Sequence, residues 1–340
     1  MSGSPTAAKP VAMVTGGAGF IGSHMVDCLL DEGYAVRVVD DLSTGRLANL
    51  EHRRGERDLS VEAEDLRTLP PEATVFRGAD VIFHFAGIGD IVPSVDRPIE
   101  YMSVNVMGTV HALEGARHAG VRKFVYAASS SCYGVTTELP TTEDAPIDPR
   151  YPYALSKYQG EQAVFHWHRV YGLPASSLRI FNAYGPRSRT TGAYGAVFGV
   201  FLAQKLNGRP FTVVGDGTQT RDFVFATDLA RAFLAAARAD RAGRVYNVGA
   251  GRPQSVNRLV ELLGGGVVHV PKRPGEPDCT WADIGRIRRE LGWEPRVSFE
   301  EGVKAMLADI DAWREAPVWD PASIDRATRS WFEALAGERR

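Results

Sequence analysis

Along the first half of the chain, short β-branched apolar runs alternate with stretches whose apolar residues recur at helical spacing. The runs at 11–14, 35–39, 81–85, 124–127 and 176–180 predict strands, and the periodicity at 21–30 predicts a helix directly after the first of them. Strand and helix in alternation predict an α/β fold: a Rossmann-type, doubly wound parallel sheet. The expected sheet domain spans 11–180, with 221–240 returning to it. Residues 181–220 and 241–340 are expected to form a smaller α/β domain, and 1–10 a flexible leader without an apolar signal core. Within the smaller domain, Ser298-Phe299-Glu300-Glu301 is a capping box for a helix running to about Trp313. Trp281, Trp293, Trp313, Trp319 and Trp331 read as core.

The first strand runs into Thr15-Gly16-Gly17-Ala18-Gly19-Phe20-Ile21-Gly22. Glycines at 16, 19 and 22 permit a sharp turn, a close backbone approach to a pyrophosphate, and tight packing of helix on strand. Such a triplet also occurs in loops that bind nothing, so its setting matters. Asp40 and Asp41 end the second strand, where an acidic side chain meets ribose hydroxyls, and a second carboxylate favours NAD over NADP. Ser43, Thr44 and Gly45 are expected at the same edge. Doubly wound sheets bind ligands at the carboxyl ends of their strands, which adds Phe85, Ala86 and Gly87. Asp65 and Leu66 reach the adenine edge or form a solvated turn. Asn105 is a further cofactor candidate, or a buried amide that shapes the site through backbone contacts. His84, inside an apolar run, reads as a satisfied core histidine.

The 340 residues are 44% hydrophobic, enough for a large core, and the net charge of −2 gives no reason to expect nucleic acid or an anionic membrane as partner. Three well-separated cysteines suggest neither a disulfide framework nor a metal site and fit a reducing compartment, so a cytoplasmic protein is expected. His166 and His168 would face different sides of a helix, and no metal is expected.

The strongest chemical signal lies between 124 and 157. The strand at 124–127 ends in Ser129-Ser130-Ser131, and Pro152 suits the first turn of a helix that places Tyr153 and Lys157 at i and i+4. A free tyrosine titrates near ~10. A nearby ammonium and a positively charged nicotinamide would draw it toward working pH. Alone, Tyr-x-x-x-Lys is a common helical accident; behind the glycine turn and the serines it is a candidate acid–base pair.

With these motifs the chain resembles the extended short-chain dehydrogenases/reductases, specifically the nucleotide-sugar epimerase/dehydratase group, over nearly its whole length. The resemblance implies that Tyr153 is the catalytic base, Lys157 its ribose-binding partner, and Ser129 the hydroxyl that assists. It implies further that Asn182 touches the sugar diphosphate, that Arg221 and Arg273 meet phosphate, and that Val214, Ser130 and Ser131 line the substrate site. Dehydratases of the group carry acids directly after the helper, and decarboxylases a glutamate two positions after it; here Ser130 and Ser131 stand there. The expected reaction is therefore NAD-dependent C4 epimerisation of a nucleotide sugar through a 4-keto intermediate. A dehydratase or decarboxylase with relocated acids, and a non-catalytic NAD-binding sensor or scaffold, are the alternatives. Asp90 is unusual near the sugar, and Arg187 with Arg189 would meet a uronate carboxylate or form an exposed turn. A homodimer through helices near 103–118 and 153–170 is implied by the same resemblance.

Overall fold

The computed structural model describes residues 9–188 and 194–335. Seven parallel strands form the central sheet: β1 (Val11–Thr15), β2 (Ala35–Val39), β3 (Leu59–Glu62), β4 (Val81–His84), β5 (Lys123–Ser129), β6 (Ala175–Ile180) and β7 (Arg244–Val248). Their order is β7-β6-β5-β4-β1-β2-β3. In β1, Ala12 and Val14 join the core on one face and Met13 that on the other, which is why the strand reads as an unbroken apolar run. Helices α1 (Phe20–Asp31) and α4 (Ala226–Arg238) cover the first face; α2 (Gly108–Ala119) and α3 (Pro152–Tyr171) cover the second. Strand order reverses between β1 and β4. The crevice of such a sheet lies at that point, where the glycine turn sits.

Two strands escaped the pattern. β3 is a four-residue edge strand, Leu-Ser-Val-Glu, with three of its residues exposed. β7 pairs with β6, Tyr246 beside Leu178, although 63 residues separate them. Its place in the central sheet moves the boundary expected at 241: the Gly285–Leu291 helix packs on β7, and Trp293 lies in the main core.

The smaller unit is built around Tyr184, Phe198, Phe223 and Phe299, with Tyr184 and Phe198 stacked at 4.7 Å and Phe223 and Phe299 at 5.1 Å. Short parallel pairs, Asn182–Tyr184 with Phe223–Phe225 and Phe211–Val214 with Val267–Val270, carry its loops toward the crevice. Ser298 and Glu301 form the reciprocal capping box, and the helix Phe299–Ala308 gives way to a tighter turn over Ile310–Trp313. The last helix, α5 (Pro321–Leu335), turns back and packs Trp331 and Leu335 against Val92, with Tyr151 alongside.

Candidate functional site

A single cavity of about 660 Å³ runs from the glycine turn, past the carboxyl ends of β4 and β5, into the smaller unit. At its first end the glycines are sterically required. Gly16 has φ +69°, and a Cβ there would lie 2.6 Å from Ala86 N; on Gly22 it would lie 2.1 Å from Gly16 O. Gly19 caps α1 with no side-chain bond to the helix end and no acidic residue in the first turn. Gly16, Gly19, Phe20, Ile21 and Gly22 all line the cavity, so an uncapped helix N-terminus faces it, as an anionic diphosphate requires.

Asp40 closes this end. Its carboxylate accepts Ala18 N–H and Leu42 N–H, both at 2.9 Å; burial pushes its pKa up, and these two bonds oppose the shift. Asp41 is exposed and accepts from Ser43 N–H at 2.9 Å and Oγ–H at 2.6 Å, which holds Ser43 and Thr44 at the rim. Gly45 is absent from the wall, and its role differs from the expected contact: a Cβ there would meet the Asp40 carboxylate at 2.7 Å. Asp65 and Leu66 do line the cavity. Asp65 caps its own turn through Arg67 N–H and is gripped by the Arg67 guanidinium, which holds its carboxyl below the usual range.

Phe85, Ala86 and Gly87 form the floor. Asn105 lies behind them, fully buried, and clamps the backbone. Its Oδ1 accepts Ile88 N–H at 2.8 Å, and its amide donates to Ile88 O and Ser156 Oγ. It sits in a π-helical turn, Met102–Met107. His84 is a core histidine between Thr15 and Thr109 hydroxyls, its pKa driven down to about 3 by burial.

At the middle of the cavity, β5 delivers Ser129, whose Oγ is 2.7 Å from Ser131 Oγ. Pro152 starts α3 as expected, and Tyr153 and Lys157 line the cavity one turn apart. Burial pushes the Tyr153 phenol up from its ordinary value, while the hydrogen bond with Ser129 pulls it down. The Lys157 ammonium lies 4.6 Å over the Tyr126 ring, and burial lowers it to about 8 against the pull of Glu161.

The far end belongs to the smaller unit. Asn182 Oδ1 accepts from Thr280 Oγ at 2.7 Å, and Val214 lies in the wall. Arg221 and Arg273 flank Glu276 at 3.8 and 3.0 Å. Arg273 stacks over Tyr194 at 5.2 Å, and its buried Nε has no hydrogen-bond partner among the described residues. Two cations beside one carboxylate leave positive charge for a diphosphate. Arg187, expected to meet a uronate carboxylate or form an exposed turn, has its guanidinium bound by Asp27 at 2.7 Å and by the Ser23 and Asn49 carbonyls. Arg189 lies outside the described residues.

Sequence reasoning missed Glu276, Tyr151 and the tryptophans as wall residues. Trp313, Trp319 and Trp331 serve core and cavity together. The signal for Tyr151 was its place two residues before Tyr153. No cluster of three or more metal-ligating side chains exists among the described residues, and none of their helices is long and apolar enough to cross a membrane.

With this geometry in hand, comparison with known proteins is specific. A model of the NAD dependent epimerase/dehydratase family matches residues 12–249. UDP-glucose 4-epimerase of Mycolicibacterium smegmatis is 38% identical over 301 residues, 86% of this chain and 95% of that protein. dTDP-glucose 4,6-dehydratase of Streptomyces niveus is 32% identical over 336 residues, 94% of this chain and 97% of that one. Among solved structures, UDP-glucuronic acid 4-epimerase of Bacillus cereus, in complex with UDP-glucuronic acid and NAD, superposes with a TM-score of 0.83 at 30% identity, covering 89% of this chain and 99% of its own.

Proposed function

The chain belongs to the NAD dependent epimerase/dehydratase family, and on that premise we propose that it interconverts the C4 epimers of a nucleotide sugar, with a UDP-linked hexose, N-acetylhexosamine or uronate as substrate. The observation that carries the reading is Ser129 and Tyr153 in one cavity with hydroxyls, not carboxylates, at 130 and 131. Overall identity does not separate an epimerase from a dehydratase, since relatives of both kinds match over most of the chain. The acids that eliminate water do.

In this reading the glycine turn and bare end of α1 hold the NAD diphosphate, Asp40 and Asp41 the adenosine ribose, and Asp65 and Leu66 the adenine edge. Phe85, Ala86, Gly87 and Lys157 surround the nicotinamide end, with Asn105 and Gly45 as their supports. Arg221 and Arg273 bind the substrate diphosphate beside Asn182. When bound, NAD supplies the hydride acceptor and donor at C4 and, in its oxidised form, positive charge beside the phenol. Tyr153, as phenolate, takes the proton from the sugar O4–H while Ser129 donates a hydrogen bond to the same oxygen. The resulting 4-keto sugar turns within the cavity and presents its other face. Tyr153 then returns the proton, so substrate and product have equal mass. A base alone gives a purely NAD-binding sensor no advantage, which supports an enzyme over that alternative.

The panel that tests this is UDP-glucose, UDP-N-acetylglucosamine and UDP-glucuronate, each incubated with the NAD-loaded protein and followed by NMR and mass spectrometry. The expected product is a 4-epimer of unchanged mass from at least one of the three. Loss of water or carbon dioxide would replace the reading with its dehydratase or decarboxylase relatives. The homodimer expected through α2 and α3 has its stoichiometry tested by light scattering.

A further inference from the structure

The geometry points to Trp331 as a positioning residue that ties the diphosphate end of the cavity to its acid–base end, with α5 as the strap that carries it. The inference rests on the reading above that Arg273 binds the substrate diphosphate, and it adds a residue that neither the catalytic nor the binding set includes. Residues 271–277, which carry Arg273 and Glu276, lie outside any helix or strand, between the Val267–Val270 strand and a single bridge at Cys279. Such a segment is held in place by what packs on it. Two side chains of α5 do so. Trp331 Nε1–H donates to Pro274 O at 3.0 Å, and Leu335 closes over Gly275, where a Cβ would stand 3.2 Å from Leu335 Cδ1. The same two side chains form a small buried cluster with Val92, and Val95 and Tyr151 pack against it. The Trp331 ring lies 4.9 Å from that of Tyr151, which stacks on Tyr153 at 6.5 Å with 9° between their planes. Nearer its start, α5 is rooted in the core of the smaller unit through Ile324, with Ala327 alongside.

One indole therefore grips both ends of the substrate site. Its N–H holds the turn between Arg273 and Glu276, and its ring face holds the residue that caps the helix of Tyr153. Arg273, Tyr151, Tyr153 and Trp331 all line the one cavity. A nucleotide sugar anchored by its diphosphate has to span the interval from Arg273 to the phenol, so the register of these two ends decides whether the sugar carbon meets the base. Tryptophan suits this task because it combines a rigid apolar ring with a single directional donor. Another aromatic side chain would fill the same core, but only the indole N–H fastens the turn. The substrate's own requirement is for a fixed anchor: the keto sugar turns over while its diphosphate stays held.

Trp331→Phe keeps an aromatic ring on Tyr151 and removes the donor to Pro274. Calorimetry on the NAD-loaded protein with UDP as the probe should show affinity weakened roughly three- to tenfold, as expected for one hydrogen bond. NAD affinity should stay within about twofold, because the glycine turn lies at the opposite end of the cavity. In turnover, KM for the nucleotide sugar should rise by the same factor as the UDP dissociation constant, with kcat within about twofold. The donor acts through Arg273, so in an Arg273→Ala background Trp331→Phe should weaken UDP binding no further. Independently of any nucleotide, trypsin should cut after Lys272, exposed at the start of the loop, roughly three- to tenfold faster in Trp331→Phe than in wild type when both are folded. Trp293→Phe, which removes an indole donor from the main core, should leave that rate at the wild-type value. Unchanged cleavage in Trp331→Phe would overturn the strap, as would equal acceleration in Trp293→Phe or UDP losses from Trp331→Phe and Arg273→Ala that multiply. If wild type does not bind UDP, the reading of Arg273 fails while the cleavage rates still decide whether Trp331 holds the loop.

Discussion

Three glycines separate the two costs that a side chain at the dinucleotide turn would incur. Gly33 has φ +81° with nothing within 4 Å of a built Cβ, so Gly33→Ala bears only the left-handed backbone penalty, about 1–2 kcal/mol. Gly22 lies within α1, where alanine is favoured, but its Cβ would stand 2.1 Å from Gly16 O and 2.8 Å from Gly16 C. Relieving backbone overlap requires the helix to move off the turn, and overpacking costs typically about 1–3 kcal/mol; contact with backbone rather than a flexible side chain places Gly22→Ala at the upper end. Gly16 combines both, with φ +69° and a Cβ 2.6 Å from Ala86 N. Urea unfolding should therefore rank Gly16→Ala as most destabilised, by about 4 kcal/mol, then Gly22→Ala, then Gly33→Ala. NAD affinity by calorimetry should follow a different order. Gly33→Ala should bind as wild type, while the other two lose at least about tenfold because the diphosphate cradle has shifted. Gly22→Ala with wild-type stability and NAD affinity would refute the close-approach argument.

Other consequences concern the frame around the site. Arg179 and Glu161 form a buried pair, with Nη2–Oε1 at 2.6 Å and Nε–Oε2 at 3.0 Å, so Glu161→Gln leaves a buried guanidinium uncompensated and should cost about 3–5 kcal/mol of unfolding free energy; a loss under about 1 kcal/mol would contradict the assignment. His24 is held neutral, its pKa lowered to about 4 by burial and the Arg187 guanidinium, with Nδ1 beside Arg187 and Nε2 on Pro186 O. Because its folded pKa lies below the unfolded value, its contribution is fully present above pH ~6.5 and is lost as pH falls toward 4. At pH 5 about 2 kcal/mol should be gone, and His24→Gln should flatten that part of the stability curve. Arg273→Ala should raise KM for the nucleotide sugar at least about tenfold with a smaller effect on NAD binding, if its cavity-lining guanidinium binds the substrate diphosphate as proposed.

Local patterns gave the parts of this protein whose physics is local. The glycine turn, the capping box at Ser298 and the Tyr153–Lys157 spacing each depend on residues within one helix or turn, and each lies where the pattern put it. What escaped depends on distant partners. β3, with only four residues, is too short to carry a strand signal, and β7 earns its place only by pairing with β6. Arg187 looked like a ligand for an anion until Asp27, from α1, occupied it. Asn105 and Gly45 stand one layer behind the cavity wall, a distinction that spacing cannot convey. Trp331 reads as core from composition and is core, yet the return of α5 across Tyr151 also makes it wall.

The most direct test of hydride removal from C4 and its return to the same carbon uses UDP-glucose, or whichever sugar of the panel is turned over, carrying deuterium at C4. Incubated with the NAD-loaded protein in ordinary water, it should yield the 4-epimer with deuterium still on C4 and mass unchanged. Deuterium lost to solvent, or found on C6 of a product lighter by one water, would contradict the account.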